Sequence, residues 1–325
     1  MLAACAPVNR DHHHELFAFG TYVSVSFYAV SDEQDRQAIT QIESYFSEIG
    51  NNWYPWADGE LKRINAAIIR GESIEVTERL TMLIRLSAHY EFQSGGHFNA
   101  GLGRLSELWG LQPEPIGLAT PPHAADIAAI VNSRPSTIDL VWDEFRLSSP
   151  NPNLMLDLGG IAKGLILADS LEIIASHQIE NAIVNIGGDL SVMGSVNGRD
   201  AYVGIRSPTG SRPVAGLNVG SFETVVTSGN YERFIEIDGV RYTHIFDPWT
   251  GYPVAHTASV TVVDDDPVRA DAAATALMVG GADKFDELVA ALGLRFALLI
   301  DTSGDTRLTP AMDERLKWIE PTDEH

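Results

Sequence analysis

Along residues 16–30, LFAFGTYVSVSFYAV, β-branched and aromatic residues crowd together, which predicts a first strand interrupted at Gly20-Thr21. The period then lengthens. Ser31 caps a helix on which Ile39, Ile42, Phe46 and Ile49 recur at helical spacing, with Gly50 placed to end it. A second helix is predicted from Thr77, with Leu80, Leu83, Leu86 and Tyr90 on one face, to the stop at Gly95-Gly96. Between the two, NNWYPWADGELKRIN reads as an aromatic-rich loop. The stretch 110–125 is rich in proline and glycine and reads as a linker or long surface loop, and a weaker helix follows from Ala124 to Asn132.

After Asn151 strands dominate: AIVNI, LSVMGS, AYVGIR, GLNVG, ETVVTS, RFIEI and VRYTHI come in quick succession, and Asp238-Gly239 between two alternating runs signals a hairpin. DPVRADAAATALMVGG, with proline near its start and glycines at its end, predicts a helix, and LRFALLID a buried strand. Helices concentrate early and strands late, with helices interspersed. That order favours an α+β fold of mixed helices and largely antiparallel sheet over a regular doubly wound one.

The chain has 325 residues, 45% of them hydrophobic, enough for one large domain or two closely packed ones. We read a flexible tail over 1–15 and a single domain over 16–325, helix-richer in its first half and strand-richer in its second. Acidic residues number 44 against 22 basic, for a formal charge of −22, so the overall field repels nucleic acid and anionic lipid. An anionic ligand would need local neutralisation by a metal ion or a few placed lysines. The single cysteine, Cys5, excludes an internal disulfide. It ends LAAC, the small-residue pattern that precedes a bacterial lipoprotein cysteine, and a thiol in a frayed terminus is the plain alternative. No later stretch is apolar for long enough to span a membrane. His12-His13-His14 could bind metal but reads better as a polar, mobile run.

Several short stretches could carry chemistry. LMLDLGGIAKGLILADSL (154–171) predicts a strand-like start, a turn at Gly159-Gly160 and a helix containing Lys163, and the amides of such a helix start suit phosphate. It matches neither a dinucleotide fingerprint nor a Walker loop, and a plain turn beside a solvated lysine accounts for it equally well. IVNIGGDL (183–190) repeats the device and ends on Asp189. TSGNYERF (227–234) offers Ser228, Asn230 and Tyr231. ADAAATAL places Asp271 and Thr275 four residues apart, one helical face carrying a carboxylate and a hydroxyl, a pair suited to a hard cation once phosphate oxygens and a carbonyl join it, although a solvated aspartate beside a back-bonded threonine is the plainer reading of these residues alone. In RYTHIFDPWTGYPV a strand stops at Thr243-His244 before a stiff turn of Asp-Pro and Thr-Gly dipeptides, which by themselves are ordinary turn chemistry.

In this order, DLGGIAKG, VNIGGDL, TSGNYERF, YTHIFDPWTGYPV and DAAATAL resemble the signature blocks of the bacterial FAD:protein FMN transferases, the ApbE family, once labelled thiamine-biosynthesis lipoproteins. The likeness runs from FGTYVSV onward. It is looser in ADGELKRIN and GGHFNAGLGRLSELWG, where Gly59 and Asn99 stand in place of the commoner serine and aspartate.

The resemblance implies an ApbE-like flavin transferase fold and a Mg²⁺-dependent activity. FAD is cleaved at its pyrophosphate, FMN passes through its phosphate to a threonine or serine hydroxyl of an acceptor protein, a subunit of a membrane redox complex, and AMP leaves. It implies Mg²⁺ on Asp271, Thr275 and the carbonyl of Ala162, Lys163 near the phosphates, and His244 as general base, a role suited to imidazole. Flavin contacts fall on Thr21, Tyr54, Trp56, Gly159, Gly160, Lys163, Asp189, Ser228, Tyr231 and His244, with Tyr54 and Trp56 candidates for stacking or simply core anchors. A lipid anchor on Cys5 would place the protein in the periplasm. Two other readings use the same residues: an Mg²⁺-dependent FAD pyrophosphatase giving FMN and AMP, and a non-catalytic FAD-binding lipoprotein.

Overall fold

The computed structural model describes residues 9–112, 118, 120–210 and 212–319. A hairpin of β1 (Arg10–Ala18) and β2 (Thr21–Val30) opens the chain, followed by α1 (Asp32–Asn52) and α2 (Glu60–Arg70). A short β3 (Ile74–Glu75), α3 (Glu78–Gln93), α4 (Gly103–Leu108) and α5 (Ala124–Asn132) lead to β4 (Val141–Asp143) and β5 (Arg146–Ser148). After α6 (Ala162–Ser176) come β6 (Ala182–Ile186), β7 (Asp189–Met193), β8 (Ala201–Arg206), β9 (Pro213–Val219) and β10 (Thr224–Gly229). The hairpin β11 (Phe234–Ile237) and β12 (Val240–Thr243) turns at Asp238-Gly239 as that dipeptide predicts. The chain then runs through β13 (Thr257–Asp264), α7 (Pro267–Leu292), β14 (Phe296–Asp301), β15 (Thr306–Leu308), α8 (Pro310–Arg315) and β16 (Lys317–Trp318).

Eight strands form one antiparallel sheet in the order β1-β2-β6-β7-β10-β13-β14-β15. Its two faces are covered differently, and alternation along each strand sorts the side chains between them. Val226, Val260, Val262 and Leu299 turn to the main core with α1, α3, α6 and α7, whereas Val225, Val263, Leu298 and Ile300 turn to a second core under the small sheet β16-β9-β8. All of β13 is buried, because both of its faces are covered. A third core joins α4, α5 and the β11–β12 hairpin around Trp109. The α+β reading and the antiparallel sheet are therefore those of the structure.

Four local readings need correction. The boundary drawn after residue 15 falls inside β1: its residues pair with β2, and His12 and His14, two apart and so on one face, both reach Asp35 of α1, at 3.3 and 2.6 Å. The histidine run is thus a strand docked on a helix. Glu60 onward, read as loop, is α2, with Leu61, Ile64 and Ile68 buried; the aromatic cluster before it masked the period. The strand-like start at 154–158 has only an isolated bridge, Met155 to Leu102. The amide and carbonyl of Leu156 are instead satisfied by the side chain of Asn65, at 2.8 and 2.9 Å. Lastly, the glycines expected to end α7 only kink it: Gly281 has φ +61, and the helix resumes to bury Phe285, Leu288 and Leu292. The cap at Ser31 is as expected and forms a capping box, and Pro267 opens α7 as expected, with Asp266 as its cap, although α1 runs past Gly50 to Asn52. Cys5 and most of 113–119 lie outside the described residues.

Candidate functional site

The end of α1, the β1–β2 turn, the start of α6, the end of β10 and the segment after β12 converge on a cleft of about 1070 Å³. A volume of that size takes an extended dinucleotide-sized ligand. Thr21, Tyr54, Trp56, Gly159, Gly160, Ala162, Lys163, Ser228, His244, Asp271 and Thr275 all line it. Residues as far apart as Thr21 and Thr275 are thus brought onto one surface by the sheet order and by the packing of α6 on α7.

That packing is close because of Gly164, where a β-carbon would lie 2.3 Å from the carbonyl oxygen of Pro267. The contact lets the Gly164 amide donate to Oδ2 of Asp271 at 2.9 Å. Asp271 is 2% exposed, and its pKa is pushed up to about 7, chiefly by burial and further by Asp189, with Lys163 opposing. Thr275, one turn on, meets the Gly159-Gly160 turn, where a β-carbon on Gly160 would come within 2.9 Å of Oγ1. Carboxylate, hydroxyl and the Ala162 carbonyl at the first residue of α6 give a set of hard oxygen donors. Among the described residues no three His, Cys, Asp or Glu side chains are grouped to hold a metal, so a cation here would rely on few protein ligands, as Mg²⁺ does when substrate phosphates and water complete its shell.

Lys163 lies beside this group but is engaged: its Nζ bonds the carboxylate of Asp189, which is 1% exposed. Burial opposes the ammonium charge, but Asp189 and Asp271 outweigh it and hold the pKa above the ordinary lysine value. Asp189 also accepts from the amide of Thr227 at 2.8 Å. It does not line the cleft, and neither does Tyr231. Its ring is spent against the backbone of Gly229 and under the Arg206 guanidinium, 5.0 Å from the centroid.

His244 follows directly on β12. Its Nδ1 lies 3.1 Å from the carbonyl oxygen of Arg233, which can only accept, so Nδ1 carries the proton and Nε2 keeps its lone pair. Burial first and the Arg233 charge second push its pKa down to about 4, leaving the ring neutral at physiological pH. The stiff turn beyond it is now explained. Oδ1 of Asp247 accepts from the amides of Trp249 and Thr250 at 2.8 and 3.3 Å, and the indole of Trp109 donates to the Gly251 carbonyl at 3.0 Å. The turn anchors the segment that presents His244 on the third core.

Tyr54 and Trp56 form an edge-to-face pair at 5.4 Å in the lining of the cleft, to which Phe98 and Phe246 also contribute. Sequence reasoning passed over Arg233, Thr227 and Phe98, which also line the cleft. Arg233 and Thr227 sit inside the TSGNYERF block, but nothing in a turn-like octapeptide separates a ligand-facing arginine from a solvated one. Among the described residues no helix is long and apolar enough to cross a membrane.

The model of the ApbE family matches residues 19–298. The FAD:protein FMN transferase of Rhodobacter capsulatus is 34% identical over 98% of this chain, which spans 60% of that relative's length. The enzyme of the same name from Treponema pallidum is 32% identical over 81% of this chain and 76% of its own. Among solved structures, the ApbE protein of Thermotoga maritima superposes with a TM-score of 0.85 at 29% identity, covering 94% of this chain and 99% of its own. The Pseudomonas stutzeri flavinyl transferase ApbE in its apo form gives 0.83 at 26%, covering 95% and 97%.

Proposed function

Because this chain belongs to the ApbE family, we propose that it transfers FMN from FAD to a threonine or serine hydroxyl of an acceptor protein and releases AMP. The observation that carries the reading is that one cleft is lined both by a neutral histidine whose Nε2 keeps its lone pair and by the buried Asp271 carboxylate with the Thr275 hydroxyl one turn on along α7.

The residues divide the work as follows. Tyr54 and Trp56 offer the flavin ring an apolar wall. The carboxylate of Asp271, the hydroxyl of Thr275 and the carbonyl of Ala162 would hold Mg²⁺ as hard oxygen donors. When bound, that ion supplies positive charge to the phosphoryl oxygens and the departing AMP. Nε2 of His244 takes the proton of the acceptor hydroxyl as its oxygen bonds to the flavin-side phosphorus. The bond from that phosphorus to the bridging oxygen breaks, and AMP carries the bridging oxygen and the electron pair away. Lys163, locked to Asp189, fixes the start of α6 and adds positive charge to the cleft wall. The acceptor is proposed to belong to a membrane redox complex. A lipid anchor on Cys5 and a periplasmic location form part of the same proposal.

Incubation with FAD, Mg²⁺ and a candidate acceptor, followed by intact-protein mass measurement, tests this. A gain of one FMN on the acceptor, lost with a chelator, is expected. Free FMN and AMP without an adduct would make the protein a pyrophosphatase, and intact FAD would make it a binding protein.

A further inference from the structure

A protein carrying 22 more acidic than basic residues must still admit a pyrophosphate, and the charges facing the cleft show how little it offers for that purpose. Among the described residues the wall carries four carboxylates, Glu43, Asp157, Glu232 and Asp271, and two permanent cations, Lys163 and Arg233. Lys163 is bound to Asp189. Arg233 is different. Its Nη2 donates to the carbonyl of Leu111 at 3.0 Å, and it pairs with no carboxylate among the described residues. A guanidinium has five N–H donors in a planar fork, so one bond to a carbonyl orients it and leaves the rest for a ligand.

Its place in the chain sets where that fork works. The backbone carbonyl of Arg233 accepts both the amide of His244, at 3.3 Å, and its Nδ1–H, at 3.1 Å. Residue 233 is therefore clamped to the base, and its charge acts both on the His244 imidazole and on the Tyr54 phenol. A group sitting between a general base and an aromatic wall meets the flavin-side phosphate, since the base has to reach the hydroxyl that attacks that phosphorus and the wall receives the ring.

We propose that Arg233 is a phosphate-binding residue of this site, holding the transferring phosphate of FAD by charge-assisted hydrogen bonds beside His244. The proposal rests on the flavin transfer reading above. It divides the pyrophosphate between two anchors and assigns the phosphate a cation that, among the described residues, pairs with no carboxylate.

The test compares flavin binding, by fluorescence, in the wild type, Arg233→Gln and Arg233→Lys, using FAD, FMN and riboflavin without added metal. Arg233→Gln is expected to weaken FAD and FMN by about 10- to 100-fold and to leave riboflavin, which has no phosphate, unchanged. Arg233→Lys keeps the charge but loses the fork and should recover part of the affinity. With the nearby cation gone, the acid limb of the transfer rate in Arg233→Gln should also move to higher pH. FMN affinity unchanged in Arg233→Gln, or an equal loss for riboflavin and FMN in both variants, overturns the assignment. A phosphate-selective loss in a protein whose wild type modifies no acceptor keeps Arg233 as a phosphate ligand and removes the transferase reading instead.

Discussion

Replacing Gly164 by alanine probes the contact on which the site is built. In most helix interiors that change stabilises, by about 1 kcal/mol, because alanine restricts the unfolded chain more than glycine does. Here the added carbon would sit 2.3 Å from the carbonyl oxygen of Pro267 and 2.8 Å from Cα of Val268, both backbone atoms that no rotamer change can move aside. Restoring ordinary contact requires α6 and α7 to part by about 1 Å. The Gly164 amide, now 2.9 Å from Asp271, would be carried beyond hydrogen-bond range. Overpacking costs about 1–3 kcal/mol, and a lost hydrogen bond to a buried carboxylate about 1.5–3 kcal/mol. Against the propensity gain, the net is a destabilisation of roughly 2–5 kcal/mol. Urea unfolding of wild type and Gly164→Ala without flavin or metal measures it as a lowered midpoint at unchanged slope, and FAD affinity in the presence of Mg²⁺ should fall alongside. A midpoint equal to or above that of the wild type would show that the helices do not depend on this contact, and the account of how Asp271 is placed would fail with it.

Three further outcomes are expected. The His244→Gln variant should lose at least about 100-fold in transfer rate, and the acid limb of the wild-type rate should fall near pH 4, not 6.5, since the folded pKa is depressed. By the same linkage, the unfolded chain binds that proton first, so His244 contributes stability that is present above about pH 6.5 and is lost as pH falls towards 4, visible as a falling urea midpoint over that range. Lys163→Met should destabilise by roughly 2–4 kcal/mol, because it strands the Asp189 carboxylate without its counter-charge, and Lys163→Met combined with Asp189→Leu should regain part of that loss in the same unfolding assay. Gly251→Ala should lower kcat more than FAD affinity: its φ of +71 suits glycine, and a β-carbon there would lie 2.6 Å from Ile127 and 2.7 Å from Val131, tilting the turn that presents His244. Steady-state kinetics on the acceptor separate the two parameters.

Much of this molecule was legible locally. Capping at Ser31, the proline that opens α7, the Asp238-Gly239 hairpin, the strands from Ala182 onward and the helix bearing Asp271 and Thr275 each depend on residues within a few positions of one another, so a linear reading reaches them. Where it failed, a neighbour distant in sequence had decided the outcome. The apolar run at 154–158 looked like a strand, but Asn65 took up the backbone of Leu156 from 91 positions away. His12 and His14 looked like a polar tail until Asp35 of α1 gave them a docking surface.

By itself, the sequence determined the α+β class, the periodic elements and the signature blocks that place the chain in its family, because those rest on short-range periodicity, turn chemistry and residue order. Only the tertiary structure decided which charges are free to meet a ligand. Lys163 and Arg233 are alike in a list of cations, yet Asp189 claims the first and a carbonyl merely steers the second. It also chose the proton-bearing nitrogen of His244 through Arg233, and seated Asp271 on Gly164, 107 residues earlier. Charge neutralisation and hydrogen bonding act through space over a few ångströms, a separation that chain order does not encode.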